Sequence, residues 1–302
     1  MHDIVIVGAG PAGLTAALYA RRMGKTVLVL EKSTFGGQAT FSPKIENYPG
    51  TIQMSGNEFA DRLVEQVLAH GADIELENVT RVKVCGDVRT VYTEDGSHDC
   101  RSVILATGVR HRQLGLAREN DLIGEGISYC AVCDGAFYKG QHVAVIGGGN
   151  SALQEAILLS ETCSKVTVIQ NLPFLTGEQS LQDVLATRKN VEVILGTVVT
   201  GLLGNTSLTG IQVRNENSGD ISELSVEGVF VAIGLEPVNG AFAEVAVLDN
   251  YGYFDANETC VTRTPGVYVA GDCRRKGVRQ ITTAVADGAT AALAACRYLD
   301  AQ

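Results

Sequence analysis

The sequence predicts an α/β protein made of two Rossmann-like three-layer units, the second inserted into the first. Three observations predict it. Two segments align without gaps at an offset of 139 (142 − 3): residues 3–32, DIVIVGAGPAGLTAALYARRMGKTVLVLEK, and residues 142–171, HVAVIGGGNSALQEAILLSETCSKVTVIQN. Each reads as a short apolar strand, a glycine turn, an amphipathic helix and a second apolar strand, the pattern of a βαβ unit with a parallel sheet. Each copy is followed by an apolar strand ending in glycine, SVILATG at 102–108 and VFVAIG at 229–234. Finally, the chain returns to a strand-like YVAGDC at 268–273 and a helix-like ITTAVADGATAALAACRYL. The simplest topology assigns residues 1–111 and 240–302 to one dinucleotide-binding domain and 112–239 to the other.

In the first copy Gly8, Gly10 and Gly13 form G-x-G-x-x-G directly after the strand. The first glycine allows the tight turn, the second lets a pyrophosphate approach the backbone, and the third lets helix pack on strand. The helix then presents unpaired N–H groups and partial positive charge to the phosphates. Glu31 closes the second strand, where a carboxylate can bond ribose hydroxyls. In the second copy Gly147, Gly149 and Ala152 keep the turn, and the helix opening at Asn150 and Ser151 keeps the cradle. The position equivalent to Glu31 is Gln170, followed by Asn171. These supply neither an acid for a free ribose nor an arginine for a 2′-phosphate. Such a unit either holds a different ligand or retains the fold around an empty site.

Between the paired strands, RVKVCGDVRTVYTEDG and IQVRNENSGDISELSV alternate and carry acidic-Gly or Ser-Gly turns, so both read as small antiparallel additions. The 302 residues carry 45% hydrophobic and 19% charged side chains, a globular composition. A net charge of −10 excludes a general binder of nucleic acid or anionic membrane. No apolar run reaches the ~18–20 residues of a membrane span. The sequence opens directly into a strand without a basic leader. A soluble, cytoplasmic protein is expected.

Of eight cysteines, only Cys130 and Cys133 form a tight pair, which suits a reducing compartment with one special couple. C-x-x-C brings two sulfurs within disulfide reach across one turn, and a helix start favours the thiolate. Asp134 follows and can move a proton to or from a departing thiolate. A zinc site lacks the further ligands it needs, there being no second C-x-x-C or paired histidines. His111 and His142 read as ordinary surface or hinge residues. Cys85, Cys100, Cys163, Cys260 and Cys296 read as inert core residues, and Cys273 as core with some prospect of reactivity.

The chain resembles the low-molecular-weight thioredoxin reductases over nearly its whole length. The resemblance rests on GAGPAG (8–13), GGQAT (36–40), ENYPG (46–50), ATG (106–108), CAVCDGAFY (130–138), GGGNSA (147–152), GDC (271–273) and RQITTA (279–284). It implies FAD in the split domain and a homodimer. Gly8, Gly10, Gly13 and Glu31 would hold the adenosine diphosphate half, and Gly37, Gln38 and Asn47 would lie along the flavin and ribityl chain. Gly108 would close the matching ATG turn. Asp272 would bond the ribityl chain, while Arg279, Gln280 and Ile281 would meet the flavin ring at a helix start. Cys133 would face the flavin, Cys130 would exchange, and Asp134 would act as acid and base.

NADPH-using members carry His-Arg-Arg and a further Arg after the strand that here ends in Gln170-Asn171-Leu172. NADPH is therefore expected to bind poorly. The chain resembles the diflavin-linked disulfide oxidoreductases, which implies a second FAD in residues 112–239 and electron flow from a dithiol to flavin. Two alternatives stand beside this reading. One is a thioredoxin reductase fed by NAD(P)H or by a ferredoxin-like carrier greeted by Arg274, Arg275 and Lys276 with Arg110 and Arg112. The other is a non-catalytic flavin redox sensor. The expected partner is a dithiol or disulfide protein, or a small thiol.

Overall fold

The computed structural model describes residues 1–42 and 45–302. Among these residues lie six α-helices: α1 (Pro11–Arg22), α2 (Gly56–Ala69), α3 (Ala131–Asp134), α4 (Asn150–Leu159), α5 (Gln179–Ala186) and α6 (Ile281–Asp300). The chain forms two compact units, Met1–Arg110 with Glu236–Gln302, and His111–Leu235. The boundaries expected from sequence fall slightly later, at 111 against 110 and 239 against 235. Residues 236–239 join the first unit because Asn239 is built into it. Its Nδ2 donates to the carbonyls of Gly252 and Cys273 at 2.9 Å each, and its Oδ1 accepts from Thr107 at 2.7 Å.

The first unit is organised by period-two alternation in its strands. His2–Val7 is flanked in parallel by Val27–Glu31 and Ser97–Leu105, with Val7 opposite Leu30 and Leu105. Asp73–Leu76 adds one parallel edge, and Val267–Val269 pairs in parallel with the end of Ser97–Leu105. The hairpin Val79–Cys85 and Val88–Thr93 continues the sheet antiparallel. Ile4, Ile6, Val29 and Ile104 face one way, onto α1 and α6. Val5, Val7, Leu28 and Leu105 face the other, onto Phe242, Val245 and Phe254. Alanines line the inner faces of α1 and α6, and Gly288 of α6 comes so close that a Cβ there would lie 2.2 Å from the Ala12 carbonyl oxygen. Burying such faces at about 25 cal/mol per Å² of apolar surface is the main stabilising term.

The second unit repeats the plan. Its parallel sheet runs Val191–Ile194, Lys165–Ile169, His142–Ile146, Gly228–Val231, Ile127–Ser128. Val143, Val145, Val166, Val168 and Phe230 face α4, α5 and Ala131 of α3. Ala144, Ile146, Val229 and Val231 face the antiparallel strands Thr197–Leu203, Gly210–Asn215 and Ile221–Leu224. In both units the glycine turns leave the carboxyl ends of the parallel strands, where open α/β sheets bind their ligands. Among the described residues no helix is long and apolar enough to cross a membrane.

Candidate functional site

The first cradle is assembled by contacts only glycine permits. Gly8 has φ +105°, and a Cβ on it would sit 2.4 Å from the Ala106 carbonyl oxygen. A Cβ on Gly13 would sit 1.8 Å from the Gly8 carbonyl oxygen, so α1 closes directly on the turn. Gly10 faces open space, the approach a pyrophosphate needs. Pro11 occupies the first helical position, where its missing N–H costs nothing. The second loop lies against the first: the Gly36 N–H donates to Ala9 O at 2.7 Å, and a Cβ on Gly37 would come 3.2 Å from Gly10 Cα. Gln38 is exposed on that loop. Glu31 is buried at the strand end, accepting from the N–H groups of Ala9 (2.8 Å), Lys32 (2.9 Å) and Ser33 (3.1 Å). The Ser33 hydroxyl adds a 3.4 Å contact to Oε1, while among the described residues Oε2 accepts from Ala9 alone and so keeps a lone pair for a ribose hydroxyl. Gly108, φ +65°, also faces open space.

The same unit holds a carboxyl oxygen with no hydrogen-bond partner among the described residues, the Lys276 ammonium standing off at 3.8 Å. Asp272 Oδ1 is shielded and unbonded among the described residues, and burial pushes the carboxyl up to about 6, against the pull of Lys276 and Arg279. A buried acceptor left unpaired costs roughly 1–3 kcal/mol, which a ligand hydroxyl removes. Arg279 donates from Nε to the Asp272 carbonyl at 3.4 Å and lies over the Tyr253 ring at 4.3 Å. Gln280 caps α6 in a reciprocal box with Thr283, its Oε1 also accepts from Asn47 at 3.2 Å, and Ile281 begins the helix. The open cradle, the orphaned acceptor and the capped helix start together fit FAD.

Within the basic cluster 274–276, Arg274 and Lys276 are internal, which corrects their reading as residues that greet a carrier. Arg274 is 1% exposed and forks onto Asp287, with Nε and one Nη both at 2.8 Å; the Lys276 ammonium reaches Asp287 at 3.0 Å. Asp287 also accepts from the Gly271 N–H at 3.0 Å, fastening the Asp272 turn to α6. Arg275 alone is exposed there. Cys85 is exposed, not core, because it sits at the hairpin tip; Cys273 is fully buried, its thiol near the carbonyls of Leu105 and Ala270.

The second unit carries a cleft of about 750 Å³ over its own glycine turn. Gly147, φ +129°, would bring a Cβ 2.4 Å from the Ala232 carbonyl oxygen, repeating Gly8. Gly149, Asn150 and Ser151 line the cleft at the start of α4. The selectivity loop is latched to this cradle: the N–H groups of Thr176 and Gly177 donate to Gly148 O at 2.8 and 2.9 Å. Asn150 and Glu178 exchange hydrogen bonds of 3.0 and 2.7 Å. Gln170 is 5% exposed and lies across Gly148, where a Cβ would meet its Cδ at 2.6 Å; its amide donates to Phe174 O at 3.4 Å. Residues 170–178, QNLPFLTGE, contain no cation and end in Glu178. Asn171 and Leu172 line the cleft and are exposed, and Phe174 is 57% exposed beyond them. Arg112, beside Gly234, brings a guanidinium to the cleft.

Cys130 and Cys133 form a disulfide with Cα atoms 5.3 Å apart, both half-buried. Cys130 caps α3, its carbonyl accepting from the N–H groups of Cys133 and Asp134 at 3.1 and 3.0 Å. The Cys130 N–H donates to Ser128 Oγ at 3.1 Å, and that hydroxyl donates to Asp134 Oδ2 at 2.6 Å. Burial pushes the Asp134 carboxyl up, opposed by Ser128, and Oδ1 has no partner among the described residues. The result is a carboxyl suited to carry a proton beside the sulfurs. Sequence reasoning missed Ser128, whose pairing with Asp134 depends on the turn. It also missed Glu155 of α4, which faces the same turn. The sequence did hold a signal for Glu155: it lies three after Ala152 and four before Leu159, on the helix's apolar face.

A family model described as pyridine nucleotide-disulphide oxidoreductase matches residues 2–288. The chain belongs to the pyridine nucleotide-disulphide oxidoreductase family. It is an FAD-dependent disulfide oxidoreductase of the thioredoxin reductase type. A thioredoxin reductase of Treponema pallidum is 38% identical over 300 residues, 99% of this chain and 97% of that one. A 34.2 kDa protein in the rubredoxin operon of Clostridium pasteurianum is 39% identical over 298 residues, 98% and 97% of the two chains. The crystal structure of thioredoxin reductase from Streptococcus pyogenes matches with a TM-score of 0.95 at 38% identity, covering 100% of this chain and 99% of that one.

Proposed function

We propose that this oxidoreductase exchanges an electron pair between FAD in its first unit and the Cys130–Cys133 couple, and that the second unit's cleft holds a second FAD rather than NADPH. The observation that carries the reading is the loop 170–178. It is cation-free, ends in Glu178, and is latched onto an otherwise intact phosphate cradle. Charge-assisted hydrogen bonds contribute about 1.5–3 kcal/mol each, so lacking two weakens NADPH by roughly 10²-fold or more. The apolar Leu172 and Phe174 suit an aromatic ring, and FAD needs no 2′-phosphate site.

FAD, when bound, supplies a two-electron carrier for the couple. Asp272 and Gln280 would orient it in the first unit, with Glu31 on its ribose. Ser128 holds the Cys130 amide and Asp134 together, so a proton is available when the S–S bond opens. Without a nicotinamide donor, the electron source is a dithiol, and flow runs from dithiol to flavin. A thioredoxin-like dithiol protein is the partner we propose, meeting Cys130, in a homodimer of the reducing cytoplasm. The six cysteines left unpaired suit that compartment.

A second reading, NADPH-fed thioredoxin reduction, draws on the Treponema and Streptococcus likenesses and on Arg112 in the cleft. A ferredoxin-like donor loses Arg274 and Lys276 to the Asp287 network and keeps only the exposed Arg110, Arg112 and Arg275. The test is flavin released per denatured chain, followed by rapid mixing with NADPH and with dithiol. Two FAD per chain and reduction by dithiol alone support the proposal. One FAD with fast NADPH reduction overturns it in favour of the second reading. A single stoichiometric change without turnover would mark a redox sensor.

A further inference from the structure

Outside the Ser128–Asp134 pair, a second carboxyl closes on the C-x-x-C turn from the opposite element. Glu155 stands on α4, which packs on α3 through Ala131, Ala152, Leu153, Ala156 and Leu159. Leu159 also reaches the end of α3, where a Cβ on Gly135 would lie 3.0 Å from its Cδ2. Glu155 takes the backbone N–H of Ala131, the residue between Cys130 and Val132, while its Oε2 is sealed from solvent with no partner among the described residues. Asp134 Oδ1 is orphaned in the same way. A buried orphan acceptor is costly in the ionised state.

We propose that Glu155 is the charge-compensating proton holder of the Cys130–Cys133 couple: it takes up a proton when the disulfide is reduced and releases it when the disulfide re-forms. The inference rests on this pair being the redox couple. Reduction breaks the Sγ–Sγ bond and places two electrons, delivered by flavin or by an exchanging dithiol, on the sulfurs. One sulfur becomes a thiol with a proton passed by Asp134 and replaced from solvent. The other remains a thiolate, and Glu155 goes from carboxylate to carboxylic acid. Two electrons and two protons enter, and the net charge of the buried centre is unchanged.

With the disulfide formed, burial pushes the Glu155 carboxyl up to about 7, against the pull of the Ala131 N–H. The surrounding groups leave this setting alone. Asp134 ends α3, Tyr138 follows it, and Asp183 on α5 is held by Gln179. His142 bonds Thr167, and Lys165 pairs with Glu192. None of these is among the causes of the shift. A thiolate formed nearby raises the carboxyl further. Below about pH 7 Glu155 is protonated in both states and adds nothing. Between that value and the higher one the thiolate sets in the reduced state, reduction binds one extra proton, so the reduction equilibrium weakens by an additional factor of about ten per pH unit over that window.

The experiment equilibrates holoenzyme with reduced and oxidised dithiothreitol across neutral and alkaline pH, and counts alkylated Cys130 and Cys133 by mass. Wild type should show the extra tenfold per pH unit above pH 7, and Glu155→Gln, which keeps size and the Ala131 contact, should lack it. Equal slopes in the two proteins would overturn the inference while leaving the couple redox-active. A pair that dithiothreitol cannot reduce in either protein would instead overturn the functional reading beneath it. Should E155Q not fold, reduced-minus-oxidised infrared spectra of the Asp134→Asn variant above pH 7 decide. Gain of a protonated carboxyl on reduction supports Glu155, and its absence rejects it.

Discussion

Writing cations into the neutral loop tests the reading of the second cleft directly. Gln170 is the wrong place, since it is buried across Gly148 and an arginine there would have to be expelled. Asn171 and Leu172 line the cleft and reach solvent, so Asn171→Arg with Leu172→Arg places two guanidinium groups at its mouth without disturbing packing. Each charge-assisted bond to a 2′-phosphate is worth about 1.5–3 kcal/mol. Exposure argues for the lower end, so the pair supplies about 3 kcal/mol, or roughly 10²-fold in NADPH affinity. NADH, lacking the phosphate, should change little. Calorimetric titration of both nucleotides, with flavin counted in each preparation, measures the ratio. Moderate salt should shrink the gain, because the new charges are solvent-exposed. Equal gains for NADH and NADPH, or none, would refute the reasoning that missing cations exclude NADPH.

Three further outcomes follow. Gly13→Ala drives a methyl to 1.8 Å from the Gly8 carbonyl oxygen, so the variant should lose FAD and about 1–3 kcal/mol of stability, read as flavin per chain and Tm. Cys130→Ser should fold normally yet lose dithiol turnover by on the order of 10⁴-fold or more, a loss typical of removing a nucleophile; substantial residual turnover would exclude Cys130 as the exchanging sulfur. Asp287→Ala leaves the buried Arg274 with Glu258 as its only carboxylate partner among the described residues, at 2.6 and 3.2 Å, and frees the Lys276 ammonium, so the loss in denaturant titration should fall at the low end of the cost of breaking a buried pair, about 3 kcal/mol. Burial pushes the Asp287 carboxyl up, but hydrogen bonds from Arg274 and Lys276 outweigh it and hold it below 3.8. Its contribution is therefore complete above pH 3.8 and is lost as pH falls through the lower folded-state value, so the variant should show a shallower acid transition than wild type.

The features legible in sequence are those encoded over short distances along the chain. Strand, glycine turn, helix and acid recur at one spacing, and the structure places Gly8, Gly13 and Glu31 accordingly. The C-x-x-C turn is likewise local. What stayed hidden depends on approach between distant segments. Arg274 and Lys276 read as surface charge because their partner, Asp287, lies a helix turn and more beyond, on α6. Gln170 read as a missing selectivity residue, while its folding over Gly148 emerges only with the loop latched at Thr176 and Gly177. Glu155 was detectable as an acid on an apolar face, but only packing of α4 on α3 shows that it reaches the Ala131 N–H inside the C-x-x-C turn.

The pairing of Val267–Val269 with Ser97–Leu105 constrains the order in which the molecule comes into being. A ribosome releases residues 97–105 long before their neighbour exists, and α6, which packs along α1, emerges after the whole inserted unit. The inserted unit, by contrast, is continuous from His111 to Leu235 and has all its strands in hand before the chain is finished. Domains generally fold as units during synthesis. The insert thus matures first, and the split unit waits, its sheet edge and the alanine face of α1 uncovered, until the strand and helix beyond Leu235 are made. Flavin capture there should follow the making of α6, and removing that helix should leave a folded insert joined to a cradle that does not close.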